Sequence, residues 1–158
     1  MPWHGLLTER GELADGRLDD LVDAWVGEVR RRLLRRAVEV SRVSGAGERI
    51  GSCLAGAADV VQDVVDQWRA TTRRRLRRTR LETLEMRKAA IVLEGLGATA
   101  RSRAARRAAE TDRGPDRTGW SEAVAIVEST THEVVRDVRA QQGRRAEESA
   151  RAGDAVSC

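Results

Sequence analysis

Apolar residues recur at three- and four-residue steps along three stretches of this 158-residue chain, and this spacing restricts the fold more than any other feature. The stripes run from Leu18 to Val40, from Val61 to Leu93 and from Trp120 to Val138. A period near 3.6 residues places each stripe on one helix face, which needs an apolar partner. The sequence therefore predicts an all-α fold, a bundle of three long amphipathic helices with coiled-coil-like packing.

Glycine and proline mark the expected ends of these helices. Gly45 suits the left-handed position that closes a helix, and Gly114-Pro115 combines a residue that ends a helix with one that cannot continue it. Gly95 and Gly97 form a softer break, which would raise the number of helices to four. The predicted helices lie at about residues 17–44, 48–112 and 119–142.

The apolar pattern also divides the chain into three parts. Residues 1–16 are a polar lead-in, and residues 17–142 are expected to form one helical-bundle domain. Residues 143–158 lose the apolar periodicity, and chain ends that nothing packs against are commonly disordered. The sequence therefore predicts a disordered tail over 143–158.

Two segments of the chain, residues 20–39 and 63–82, resemble each other at a constant offset. Ten of their twenty aligned positions are identical. Duplication of a helical unit explains this similarity, and so does convergence, because acids at the start and bases at the end complement the dipole of any helix. Antiparallel packing of the two segments would place acidic and basic ends together and neutralise part of the arginines within the protein.

The cations are concentrated in one part of the sequence. The chain has 28 arginines and a single lysine, a bias typical of GC-rich coding, so its net charge of +4 says little about partners. Residues 69–107, however, carry thirteen basic and only three acidic side chains, and arginine fills six of the eight positions 73–80. Neighbouring cations repel each other on a helix. This local excess therefore predicts a partner with many negative charges.

Guanidinium groups suit phosphate because they donate hydrogen bonds in pairs and displace counterions from a polyanion. Few aromatic residues accompany these arginines, so binding to DNA or RNA would be directed to the backbone and tolerant of sequence. The alternative is pairing with acidic helix ends or with another subunit, and attachment to a membrane surface is not expected. The candidate residues are Arg73, Arg74, Arg75, Arg77, Arg78, Arg80, Arg101, Arg103, Arg106 and Arg107.

No pattern typical of an enzyme is present in the sequence. His4 and His132 are far apart and match no metal-binding spacing, and the glycines at 45–51 match neither a dinucleotide loop nor a P-loop. Cys53 lies among small apolar residues, which favours a packing role and a close approach of helices there. We therefore expect no catalytic residue, cofactor, metal or small-molecule substrate.

The large aromatic residues are expected in the core. Trp25, Trp68 and Trp120 fall one in each predicted helix, and the chain has no Phe or Tyr. These three tryptophans are therefore the predicted core anchors.

These features favour a non-enzymatic assembly or adaptor protein that self-associates or acts as an accessory subunit of a larger complex. The alternative is a nucleic-acid-binding accessory protein that uses residues 69–107. A cytoplasmic location is expected, because the first ten residues lack the basic and apolar regions of a secretory signal and two isolated cysteines form no disulfide framework.

Overall fold

The computed structural model describes residues 17–43, 45–76 and 86–156, and these residues form four helices and no strand. The all-α helical bundle is thereby confirmed, with four helices. They are α1 (Arg17–Ser41), α2 (Ala46–Leu76), α3 (Met86–Glu110) and α4 (Pro115–Val156).

Glycine lies in the connections that precede α2 and α4, and proline lies at the start of α4. Gly45, with a φ of 77°, lies directly before α2 and four residues after the end of α1 at Ser41, so it does not close α1 as predicted. Gly114 precedes α4 with a φ of 137°, and both values lie in the region that favours glycine. Pro115 opens α4 because its missing N–H is not needed in a first helical turn. The main-chain N–H of Thr118 then donates to the carbonyl of Gly114 at 3.1 Å. The predicted start at residue 119 is therefore four residues too late.

The single helix predicted over residues 48–112 is wrong. A helix of that length would extend about 100 Å and leave the apolar stripe of its second half without a partner. Instead, α2 ends at Leu76 and α3 begins at Met86 and runs back along the bundle. This return buries Leu93 and Leu96 of α3 in the common core. The predicted break at residues 95–97 is also wrong, because these residues lie inside α3.

The predicted disordered tail is helical as far as Val156, since α4 spans 42 residues. Gln141 is its last buried residue, so residues 142–156 extend the helix without an apolar contact surface. Extending an existing helix avoids the cost of nucleation. Charges of opposite sign four positions apart, Arg144 with Glu148 and Glu147 with Arg151, also favour the helical state.

The four helices run alternately up and down. Ion pairs show that successive helices are antiparallel: Arg69, late in α2, pairs with Asp19 at the start of α1, and Arg139 of α4 pairs with Glu94 in the first half of α3. The parallel helices α2 and α4 also contact each other extensively, whereas α1 and α3 scarcely meet. The bundle is therefore rhombic in cross-section, with α2 and α4 on the short diagonal.

One continuous core lies between the four helices. No helix in the described ranges combines the length and the apolar character needed to cross a bilayer. The largest fully buried side chains are Trp25, Leu21, Leu33, Leu54, Leu93, Val22, Val29, Val61, Val65, Val127 and Val134.

An ion-pair network joins α1 to α4 at the edge of the core. The Arg32 guanidinium lies 2.7 Å from a Glu133 carboxylate oxygen and 2.8 Å from Glu28, which also accepts a bond from Arg31 at 2.7 Å. The hydrogen bond from Arg31 is the main cause that lowers the pKa of Glu28 to about 2; Arg32 adds to the effect and burial opposes it. Glu28 thus stays ionised at any moderately acidic pH.

Candidate functional site

The predicted basic surface over residues 69–107 is divided in the structure. Arg73, Arg74 and Arg75 lie in the last turn of α2, and Lys88 lies in the first turn of α3. Arg77, Arg78 and Arg80 lie outside the described residues. The remaining candidates begin at residue 101, in the second half of α3, and residues 88 and 106 are about 27 Å apart along the helix axis. The cations therefore form two separate groups.

Arg69 pairs within the protein. Its guanidinium lies 2.6 Å from a carboxylate oxygen of Asp23 and 3.4 Å from one of Asp19, both in the first turns of α1. Hydrogen bonding to Asp23, above all, raises the pKa of the Arg69 guanidinium. Antiparallel packing has thus placed an acidic helix end beside a basic one, as expected for the two similar segments.

The second group of arginines has mostly neutral neighbours. Arg101 lies 3.7 Å from Glu128, and it is the one member of the group with a carboxylate within 4 Å among the residues that the structure describes. Arg103 donates to the amide oxygen of Gln67 at 2.5 Å. Arg106 and Arg107 are exposed.

The three tryptophans differ in burial. Trp25 is 0% exposed, and its indole N–H donates to Thr131 Oγ1 on α4 at 3.1 Å. The Thr131 hydroxyl in turn donates to the carbonyl of Val127 at 2.7 Å. Trp68 and Trp120 are only half-buried at the edge of the core. The two similar segments therefore put their tryptophans in different surroundings, one in the core and one at a surface groove.

Trp120 lies where α2, α3 and α4 meet. Its ring faces Gly56, on which an added Cβ would lie 3.5 Å from the indole. The Arg107 guanidinium is 5.8 Å from the ring centroid, within the range of a cation–π interaction. Trp120 therefore anchors the junction of these helices rather than the centre of the core.

Small residues allow the helices to approach closely around Cys53. A Cβ on Gly119 of α4 would lie 2.7 Å from Cys53 Cβ, and one on Gly51 would lie 2.8 Å from the Ala37 carbonyl of α1. The close approach expected from the sequence is therefore present on two sides of α2. Burial, assisted by the nearby Asp116, raises the pKa of the Cys53 thiol and keeps it protonated.

An apolar groove opens between α2 and α3, and we call it the α2–α3 groove. It encloses about 420 Å³. Half-buried Trp68 and Val92 form part of its wall, and Ile91, 61% exposed, stands at its edge. The whole lining comprises Val64, Gln67, Trp68, Thr71, Ile91, Val92, Gly95, Leu96, Thr99 and Arg103.

A second, smaller groove of about 360 Å³ lies between α3 and α4. An ion pair from Arg139 to Glu94 at 2.8 Å and a longer one from Arg101 to Glu128 stand on its two sides. His132 is exposed at its rim. In the described ranges no three His, Cys, Asp or Glu side chains come together as metal ligands would.

The arginines and tryptophans are evident in the sequence, whereas the α2–α3 groove is not. Helical periodicity shows which residues share a face, not which face the bundle leaves uncovered. The one available signal was the apolar character of Ile91, which falls outside the predicted stripe. Comparison with protein-family models, with curated proteins and with solved structures found no match to this chain.

Proposed function

We propose that this protein is a non-enzymatic assembly or adaptor protein that binds a helix of another polypeptide chain in the α2–α3 groove. The groove itself carries the proposal. Its wall exposes parts of Trp68, Val92 and Ile91, and apolar surface of this kind is stabilised when a partner covers it.

The shape of the groove suits a helix. From Ile91 to Arg103 the groove follows α3 for about 18 Å, which matches a partner helix of about three turns. Amphipathic helices bind such grooves through apolar residues at i, i+3, i+4 and i+7. Gln67 and Thr99 at the sides supply polar groups that can fix the orientation of the partner.

Selection from a displayed library of uncharged amphipathic helices, with the full-length chain as target, tests this proposal. Recovered helices should bind the wild-type protein, and Ile91→Lys should weaken that binding at least tenfold. Ile91 is exposed, so the variant should fold, which circular dichroism will verify. The matched control is Val38→Lys on α1, where the native side chain is 54% exposed. Failure to recover helices, or equal binding by both variants, would refute the proposal.

Light scattering coupled to size-exclusion chromatography separates self-association from an adaptor role. A self-associating protein will show a mass above 17.4 kDa at low and high salt, and Ile91→Lys will return it to the monomer. A mass of 17.4 kDa at both salt concentrations would show that the partner in the groove is a different protein. A mass that falls only with added salt would instead indicate charge-driven association and would contradict apolar docking.

Nucleic-acid binding is the second candidate function, supported by the exposed arginines of α3. Arg103, Arg106 and Arg107 have no carboxylate within 4 Å in the described part of the chain. Anisotropy with labelled random-sequence DNA and RNA, from about 50 to 200 mM salt, tests it, because several phosphate contacts would weaken affinity by orders of magnitude. Absence of binding at the lowest salt would reject this candidate.

A further inference from the structure

We infer that the helix bound in the α2–α3 groove carries acidic residues on the flank that faces α3 and basic residues on the flank that faces α2, an inference that rests on the proposed function. Opposite charges stand on the two sides of the groove at the end where Arg103 lies. Arg103 and Arg106 belong to α3, and Asp59 and Asp63 belong to α2. This arrangement fixes the direction in which the helix binds.

The hydrogen bond from Arg103 to the amide oxygen of Gln67 shows how α2 and α3 are aligned at this end. Asp63 precedes Gln67 by one helical turn, and Arg106 follows Arg103 by one turn. Because α2 and α3 are antiparallel, both steps lead in the same direction along the bundle. Asp63 therefore lies on the opposite side of the groove from the two arginines.

The apolar floor of the groove continues past Arg103. Trp120 is half-buried there. Its ring faces Gly56 of α2, and the Arg107 guanidinium of α3 lies 5.8 Å from the ring centroid. A helix that continues past Arg103 by one or two turns therefore covers Trp120 and comes between the charges of the two sides.

The charges on the two sides do not pair with each other. Asp59, Asp63 and Arg106 are exposed, and Arg103 is half-buried beside Gln67. Among the residues that the structure describes, none of these four charges has an oppositely charged group within 4 Å. The two sides are thus farther apart than the partners of an ion pair, and a helix between them can bring a complementary charge to each.

The opposite signs of the two sides discriminate between the two directions of a bound helix. When a helix with acids on one flank and bases on the other is reversed in the groove, its flanks are exchanged between α2 and α3. One direction forms ion pairs on both sides, whereas the other places like charges together. Charged flanking positions set the orientation of partners in coiled coils by the same rule. A nucleic acid carries only negative charge along its backbone, so the acids of α2 oppose it.

The test extends one uncharged helix recovered in the library selection by two helical turns at either end. Each extension carries two glutamates on one flank and two lysines on the other, in either arrangement; reference extensions carry four glutamines or four glutamates. Anisotropy at about 50 mM salt, where screening is weak, measures the affinity of each peptide for the full-length protein.

The expected gain follows from the strength of exposed ion pairs. One such pair changes affinity by about 1.4- to 5-fold, so several pairs multiply to about tenfold. We expect one arrangement, at one end of the peptide only, to bind about tenfold tighter than the glutamine extension. The reversed arrangement at that end should give no gain.

Two double variants with the same net charge locate the effect. The groove variant, Asp63→Arg with Arg106→Glu, leaves one charge of each sign on each side and should abolish the preference. The control, Arg35→Glu with Glu39→Arg, reverses an exposed pair 3.4 Å apart on α1 and should keep the preference. Circular dichroism will verify that both variants fold. Ile91→Lys should weaken every peptide, because all share the same apolar stripe.

Three results would overturn the inference and leave the proposed function intact. They are equal affinities for the two arrangements at both ends, a preference that survives in the groove variant, and tightest binding by the extension with four glutamates. The last result would show that the acids of α2 do not contact the partner, and it would assign the arginines to a polyanion. Failure to recover any uncharged helix whose binding depends on Ile91 would instead refute the proposed function itself.

Discussion

The buried hydrogen bond from Trp25 to Thr131 is open to a direct energetic test. Thr131→Val keeps the shape of the side chain but removes the acceptor of the indole N–H, which lies 3.1 Å away in a fully buried site. A buried donor without a partner costs about 1–3 kcal/mol. We therefore expect Thr131→Val to lower the free energy of unfolding by about 2 kcal/mol, a fall in Tm of roughly 4–8 °C for a chain of this size.

A double-mutant cycle isolates this bond from other effects of the substitution. Trp25→Phe destabilises the protein by itself, because the smaller ring leaves unfilled volume. It also removes the N–H, so Thr131→Val in the Trp25→Phe background should cost less than about 0.5 kcal/mol. The coupling energy should then be about 1.5 kcal/mol, within the range for residues in contact.

Urea unfolding followed by circular dichroism at 222 nm measures all four corners of the cycle. Thr99→Val is the matched control, because the exposed Thr99 hydroxyl donates to the Gly95 carbonyl four residues earlier, as Thr131 donates to Val127. This control should change stability by less than about 0.5 kcal/mol. Equal costs of Thr131→Val in the two backgrounds would show that the bond does not contribute to stability.

Three further predictions concern a glycine pair, a carboxylate and a thiol. Gly97→Ala should destabilise the protein by about 1–2 kcal/mol, because the new Cβ would lie 2.6 Å from the hydroxyl oxygen of Thr131 on α4. In Gly95→Ala the new Cβ meets nothing within 4 Å, so this substitution should stabilise the protein by about 0.5–1 kcal/mol. Urea melts that give the same sign for both variants would contradict this packing. The pKa of Glu28 is lowered in the folded state, so its contribution to the free energy of unfolding is present above about pH 5 and is lost as the pH falls towards 2. Glu28→Gln should therefore be less stable than the wild type at pH 7 and equally stable near pH 2. An equal loss of stability at both pH values would count against the ion pair. The raised pKa of Cys53 should slow its reaction with an aromatic disulfide reagent at pH 8 relative to free cysteine, measured in a Cys158→Ser variant, and an equal rate would show an accessible thiolate.

The sequence was sufficient to predict the helical class because apolar period and helix length are local properties. It was not sufficient to place Gly95 and Gly97, since glycine is equally suited to a turn and to a close helix approach. Only the position of Thr131 on a neighbouring helix distinguishes the two roles for Gly97. The same limit explains why the boundary between α2 and α3 is not predicted, because the spacing of apolar residues is the same whether a helix continues or the chain folds back.

The arginines show a similar limit of linear reasoning. Summing charges along residues 69–107 suggested one basic surface, but pairing depends on helices distant in the sequence. Arg69 is neutralised by α1, and Arg101 and Arg103 lie far along α3 from the end of α2. Trp25 and Trp68 differ in burial for the same reason. They occupy equivalent positions in two similar segments but lie at different depths in the rhombic bundle.

The rhombic arrangement has a consequence for the order of folding. Each antiparallel pair, α1 with α2 and α3 with α4, is joined by a connection of about four residues, so its internal contacts close short loops at little entropic cost. The contact between α2 and α4 joins residues about 65 positions apart, and closing this longer loop costs more chain entropy. We therefore expect the two helical hairpins to form before they dock on each other through the small residues of the short diagonal.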